Sequence, residues 1–196
     1  MRFTVFYLIF IGIALIYEFK AESGIKKREG QGKVFHSWSY YLMATTYTLL
    51  LLGSVVEYFI CKRNINLIIT FLGMTMYILG HLLRNWSIKA LQNFWSLHIK
   101  VKKEHELIKE GPYKYVRHPN YLAGLFKGFG FVLIPNSYYM LLYTIGIFLP
   151  VRLIRIYLEE KELISKFDKE YLDYKKEIYG LLPLKKYKGL VATDDL

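Results

Sequence analysis

Two stretches of the chain carry side chains whose types and spacing suit chemistry at a membrane surface. The first is His105 to Tyr121, HELIKEGPYKYVRHPNY, between the third and fourth strongly apolar segments. It is too charged to cross a bilayer. Gly111-Pro112 punctuates it, and Pro119 suits the first turn of a new helix, so the chain folds back here before re-entering lipid. The second is Arg155 with Glu159, four residues apart and so on one face of a helix at the end of the fifth apolar segment. Arg before Glu is the weaker order for supporting a helix, and an ionised pair at a membrane boundary is costly. A functional use is therefore favoured over a purely structural ion pair.

Five apolar segments must position these residues: Phe3 to Phe19, Tyr40 to Ile60, Ile65 to Leu83, Tyr121 to Ile134, and Tyr138 to about Leu158. A spanning helix needs roughly 20 residues. The second, third and fifth segments reach this, the first is marginal and the fourth is short. Pro135-Asn136-Ser137 forces a tight reversal between the last two, which are expected to form a helical hairpin. The expected fold class is all-α and integral membrane, with about five transmembrane helices. Five such runs would overfill a soluble domain of this size.

Basic residues set the orientation. Lys20, Lys26, Lys27, Arg28 and Lys33 follow the first segment, and Arg84 to Arg117 carries eight more after the third. The intervening loops are poorer, and the tail is basic again. That pattern predicts an external N-terminus and a cytoplasmic C-terminus. A net charge of +11 sits beside apolar runs rather than on a polar domain with a readable motif, so anionic lipid head groups are the expected partners and nucleic acid is not. Cys61 is the only cysteine, which excludes an intramolecular disulfide or a cysteine zinc site. The first run is read as a retained anchor, since Glu18 and Lys20 make a poor cleavage setting.

Between the third and fourth segments, Trp86 and Trp95 fall where aromatic side chains favour the interface. Leu97, Ile99 and Val101 alternate with His98, Lys100 and Lys102, which predicts a short extended piece. Glu159 to Tyr179 reads as an amphipathic helical cap with Leu163, Phe167, Tyr171 and Tyr174 on its apolar face.

The string HELIKEGPYKYVRHPNY, followed after a helical hairpin by RIYLEEKELISKFDKEYLDYKKEIYGLLP, resembles the isoprenylcysteine carboxyl methyltransferase family and its bacterial relatives. The upstream LQNFWSLHIKV is similar to the bacterial branch. The resemblance implies a methyl transfer from S-adenosylmethionine to a lipophilic acceptor, a prenylcysteine carboxylate first, with a phospholipid amine or an alkylpyrone hydroxyl as alternatives. It also implies a cytoplasmic cofactor pocket with contacts from His105, Glu106, Leu107, Ile108, Tyr113, His118, Pro119, Asn120, Tyr121 and Glu159. Arg155 matches the family's substrate-contacting arginine. Asp168 departs from the pattern, where relatives often have glycine. On this reading residues 1–83 form an N-terminal three-helix membrane region and residues 84–196 the catalytic part.

The residue chemistry agrees with that implication. The donor's ammonium and ribose need a carboxylate, its own carboxylate needs donors, and its sulfonium suits aromatic walls. A carboxylate acceptor is already ionised at neutral pH and needs alignment by a guanidinium rather than a general base. A hydroxyl or amine acceptor would need one, for which His105 and His118 both qualify. His36, His81 and His98 have no metal-site spacing. Lys127, an intramembrane charge flanked by Gly124, Gly128 and Gly130, reads equally as a substrate contact or as a lysine snorkelling to the interface. Sterol reductases that use NADPH carry a similar motif in much longer chains, and a non-catalytic membrane protein is the remaining alternative.

Overall fold

The structure is a computed structural model, which describes residues 2–26, 33–92, 96, 99–101 and 107–183. It is built of helices α1 (Arg2–Lys26), α2 (Ser37–Cys61), α3 (Leu67–Leu91), α4 (Pro119–Leu133), α5 (Tyr138–Tyr143), α6 (Leu149–Phe167) and α7 (Lys169–Glu177). A single π turn, Thr144–Phe148, joins α5 to α6, so that Tyr138–Phe167 runs as one long helix. Pro150 at the start of α6 explains the widening. Its ring has no N–H to give and crowds the carbonyl four residues back, and a π turn relieves both.

Among the described residues, four helices are long and apolar enough to cross a membrane: Arg2–Lys20, Ser37–Cys61, Leu67–Leu91 and Tyr138–Phe167. The fourth apolar segment, expected as a fifth span, forms the 15-residue α4. At 1.5 Å per residue that is about 22 Å, short of a ~30 Å hydrocarbon core. Its shortness is offset by close packing against α3 rather than by the expected hairpin partner alone. A Cβ on Gly80 would stand 2.8 Å from the Ala123 carbonyl, and one on Gly73 2.8 Å from that of Gly130. Only glycine allows backbones this close.

The reversal at Pro135-Asn136-Ser137 forms as the sequence requires. Asn136 takes a left-handed conformation (φ 58°), which asparagine tolerates, and is fully buried. Its Oδ1 accepts from the Asn66 backbone N–H at 2.8 Å and its Nδ2 donates to Thr70 Oγ1 at 3.2 Å, which ties this turn to the α2–α3 turn. Glu57 of α2 accepts from the free backbone N–H groups of Tyr139 and Met140 at 3.1 and 2.9 Å and so caps α5.

Two features of the connections matter for the site. The predicted extended piece exists as Ile99–Val101, which pairs antiparallel with Lys33–Phe35 in a two-stranded ribbon. The long helix runs on from the apolar segment through Glu159 to Phe167, and the helical stretch expected over Glu159 to Tyr179 is divided at Asp168. Beyond it, Tyr171, Tyr174 and Ile178 pack with Leu107, Leu163, Ile164 and Phe167, the apolar face expected for the cap. The main core is aromatic, with Tyr7, Phe10, Tyr77, Phe131 and Phe148 buried where α1, α3, α4 and the long helix meet.

Candidate active site

The connector after α3 reaches the site through a 3₁₀ turn, Gly111–Lys114, started by Pro112 and fixed by Gly111 at φ 58°. Two backbone bonds then dock the motif onto the chain beyond α7: Arg117 N–H donates to the Tyr179 carbonyl (3.0 Å) and His118 N–H to that of Gly180 (2.9 Å). Pro119 begins α4, as its fixed φ and missing N–H favour. These constraints place Tyr121 one turn into α4, facing α6.

The Tyr121 hydroxyl stands between the two residues singled out on α6. It donates to Glu159 Oε2 at 2.5 Å and accepts from Arg155 Nε at 3.1 Å. Arg155 Nη1 donates to Ser39 Oγ of α2 at 2.8 Å. Ser39 is itself held, since its hydroxyl donates to the His36 carbonyl at 2.7 Å. A line of polar groups therefore crosses three helices, Ser39–Arg155–Tyr121–Glu159, with Arg155, Tyr121 and Ser39 all buried. The i, i+4 spacing of Arg155 and Glu159 is used through Tyr121.

Beside that line lies a second carboxylate that sequence reasoning did not single out. Glu160 accepts from Arg117 through Nη2 (2.5 Å) and Nε (3.1 Å), from His118 Nε2 (3.0 Å) and from Lys175 Nζ (2.7 Å). Arg117 also donates to the Ile178 and Lys175 carbonyls. Glu160 thus pins α6, the motif and α7 together, and in the sequence it stands as one of an adjacent Glu pair with nothing to mark it out from Glu159. With Nε2 on a carboxylate, that nitrogen carries the proton, and the His118 ring is held 5.7 Å from the Tyr121 ring.

The other expected contacts are distributed around this centre. Tyr113 is buried, and its carbonyl accepts from the Tyr174 hydroxyl at 2.5 Å. Burial first, and the nearby Glu159 carboxylate second, push the Tyr113 hydroxyl well above the usual tyrosine range. Burial raises Tyr174 as well, against the pull of Arg117. Pro119 is fully buried, Asn120 half-buried beside it, and Leu107 packs on the Tyr171–Tyr174 cluster with Ile108 next to it. His105 and Glu106 lie outside the described residues. Lys127 is not part of this group: it is 5% exposed and forms an ion pair with Glu18 of α1, which also takes Arg84 at 3.0 Å.

Comparison with known proteins bears on this arrangement. The model of the isoprenylcysteine carboxyl methyltransferase family matches residues 71–165, from α3 through nearly all of α6. A protein-S-isoprenylcysteine O-methyltransferase B of Arabidopsis thaliana is 30% identical over 152 residues, 72% of this chain and 76% of that one. The chain belongs to the isoprenylcysteine carboxyl methyltransferase family. Another relative, the protein-S-isoprenylcysteine O-methyltransferase of Saccharomyces cerevisiae, is 34% identical over 114 residues, 56% of this chain and 46% of the yeast protein. The solved eukaryotic intramembrane Ras methyltransferase of the family superposes with a TM-score of 0.57 at 26% identity, covering 79% of this chain and 56% of that one. The chain therefore spans about half the length of these two relatives. The family fold and the four apolar helices make it an integral, multi-pass membrane protein.

Proposed function

We propose that this family member is a membrane methyltransferase that uses S-adenosylmethionine and methylates the carboxylate of a lipophilic, isoprenylcysteine-type acceptor. The line Ser39–Arg155–Tyr121–Glu159 carries the reading. Its donor set fits the methyl donor. Glu159 is only half-buried at the end of the line, and its Oε1 has no protein donor among the described residues, so a carboxylate oxygen remains for an ammonium or ribose hydroxyl. The Tyr121 and Tyr113 rings are the aromatic walls a sulfonium favours. When bound, S-adenosylmethionine supplies a methyl group activated for attack by its positive sulfur.

The protein's own task is alignment. Two hydroxyls fix the Arg155 guanidinium before any acceptor arrives, so a carboxylate that meets it loses little further freedom in finding one orientation. Such an acceptor is anionic at neutral pH, and no proton has to move. His118, with Nε2 on Glu160, serves to hold the motif against α6. The site lies where α2 and α4 begin and α6 ends, next in sequence to the basic segments, which supports a cytoplasmic site, an external N-terminus and a cytoplasmic C-terminus. Residues 84–196 would supply the reacting groups, and residues 1–83 the wall that includes Ser39.

Calorimetric titration of S-adenosylmethionine into detergent-purified protein tests this reading. The parent binds, and Glu159→Ala weakens binding at least about tenfold, the loss of one charge-assisted hydrogen bond. A folded parent that does not bind, with or without added lipid, rejects it.

A further inference from the structure

Arg152 sits three residues before Arg155, on a neighbouring face one turn further from the mouth of the site. The surroundings repeat with the same offset. Around Arg155 stand Ser39 of α2 and Tyr121 of α4, both hydroxyl partners. Around Arg152 stand Met43 of α2, four residues on, and Gly124 of α4, three residues on. Among the described residues Arg152 has no such hydroxyl partner. Arg152 Nη1 approaches only the Met43 sulfur, at 3.7 Å, the guanidinium lies 4.3 Å from the Phe148 ring centre, and Nε is buried with no partner. Arg152 is nonetheless 7% exposed.

Two features make this a built site rather than a packing accident. Among the described residues no carboxylate pairs with Arg152, although a buried cation in a membrane helix is costly unless compensated. Gly124 lets the guanidinium lie directly against α4, since a Cβ there would stand 2.5 Å from Arg152 Nη1 and 2.8 Å from its guanidinium carbon. Arg84 and Lys127 both pair with the Glu18 carboxylate, so among the described residues that carboxylate is already engaged.

We propose that Arg152 and Arg155 together bind the anionic group of the acceptor, Arg152 supplying the deeper of two guanidinium contacts. This rests on the methyl-transfer reading for its place in the reaction but not for its chemistry. The group is a carboxylate or a phosphate on a lipid chain that enters between α2, α4 and α6. Arg152 is a specificity residue: it discriminates charged from uncharged acceptors and does not touch the methyl donor.

The test measures binding of N-acetyl-S-farnesylcysteine, of its uncharged carboxamide, and of lysophosphatidic acid to the parent, Arg152→Met, Arg152→Lys and Gly124→Ala. S-Adenosylhomocysteine binding and thermal unfolding are followed in parallel. The parent favours the carboxylate over the carboxamide at least about tenfold, the scale of one charge-assisted contact. Arg152→Met lowers that preference severalfold, to the part that Arg155 supplies, with S-adenosylhomocysteine affinity unchanged, Arg152→Lys keeps more of it, and Gly124→Ala reduces it by crowding the guanidinium. Arg152→Met also unfolds at a temperature equal to or above the parent's, because it removes a buried unpaired charge. If Arg152→Met keeps the full preference for both anions, or the parent shows none for either, the proposal fails whatever the enzyme does. If lysophosphatidic acid binds in an Arg152-dependent way to a protein that binds no S-adenosylhomocysteine, the anion site stands and the methyl-transfer reading falls.

Discussion

Tyr121 and Glu159 are joined by a 2.5 Å hydrogen bond that spans the α4–α6 interface, and the same hydroxyl accepts from Arg155. Removing it leaves both charged groups in place but uncouples them. Tyr121→Phe is expected to lower kcat/KM for methyl transfer roughly 10- to 100-fold, the scale of one or two hydrogen bonds to charged groups. Thermal unfolding should move little, because the ring still fills its place. Initial-rate kinetics beside an unfolding curve checks both halves.

Glu160 is expected to matter through position rather than contact. Its neutral variant Glu160→Gln leaves Arg117 buried without its carboxylate, which costs about 3 kcal/mol where one partner of a buried pair is lost. Unfolding in detergent should shift to lower temperature, and cofactor affinity should fall with it as the motif loosens from α6. The exposed Lys175 arm adds little to that sum, so Lys175→Ala should lie close to the parent.

Lys127 with Glu18 predicts a different pattern. Glu18→Gln leaves Lys127 buried without its carboxylate and should destabilise by about 3–5 kcal/mol, Lys127→Met less because the half-buried Glu18 keeps Arg84, whereas the double variant recovers much of the first loss. If the pair is structural, the double variant retains the parent's KM for the acceptor. A raised KM with recovered stability would return Lys127 to the substrate site.

Asp168 separates α6 from α7 at φ 41°, ψ −117°, a conformation that suits glycine and strains any residue with a Cβ. Asp168→Gly is expected to raise stability by about 1 kcal/mol, seen as a higher unfolding midpoint with unchanged activity.

Much of the site was legible because its residues are close in sequence or one helical turn apart. Pro119 opened α4 and brought Tyr121 to bear, and Arg155 and Glu159 share a face as their spacing requires. The alternation around Ile99 announced the ribbon strand. What stayed hidden depends on distant pairings. Nothing local distinguishes Glu160, which holds Arg117 and His118 from more than forty positions away, from Glu159 beside it. Ser39 and Met43 read as ordinary positions of an apolar helix until α2 is laid against α6. The intramembrane lysine was visible, but its partner Glu18 was not, because only the packing of α1 on α3 and α4 joins them.

The most direct test of the account is methyl transfer itself, measured with purified protein in lipid nanodiscs, S-adenosylmethionine labelled on its methyl group, and N-acetyl-S-farnesylcysteine as acceptor. The account predicts a labelled product whose label is released by mild base, as a methyl ester requires, and its loss in Arg155→Ala. A folded, cofactor-binding protein that leaves the carboxylate unlabelled, or transfers label only into base-stable products of added phospholipid, would contradict it.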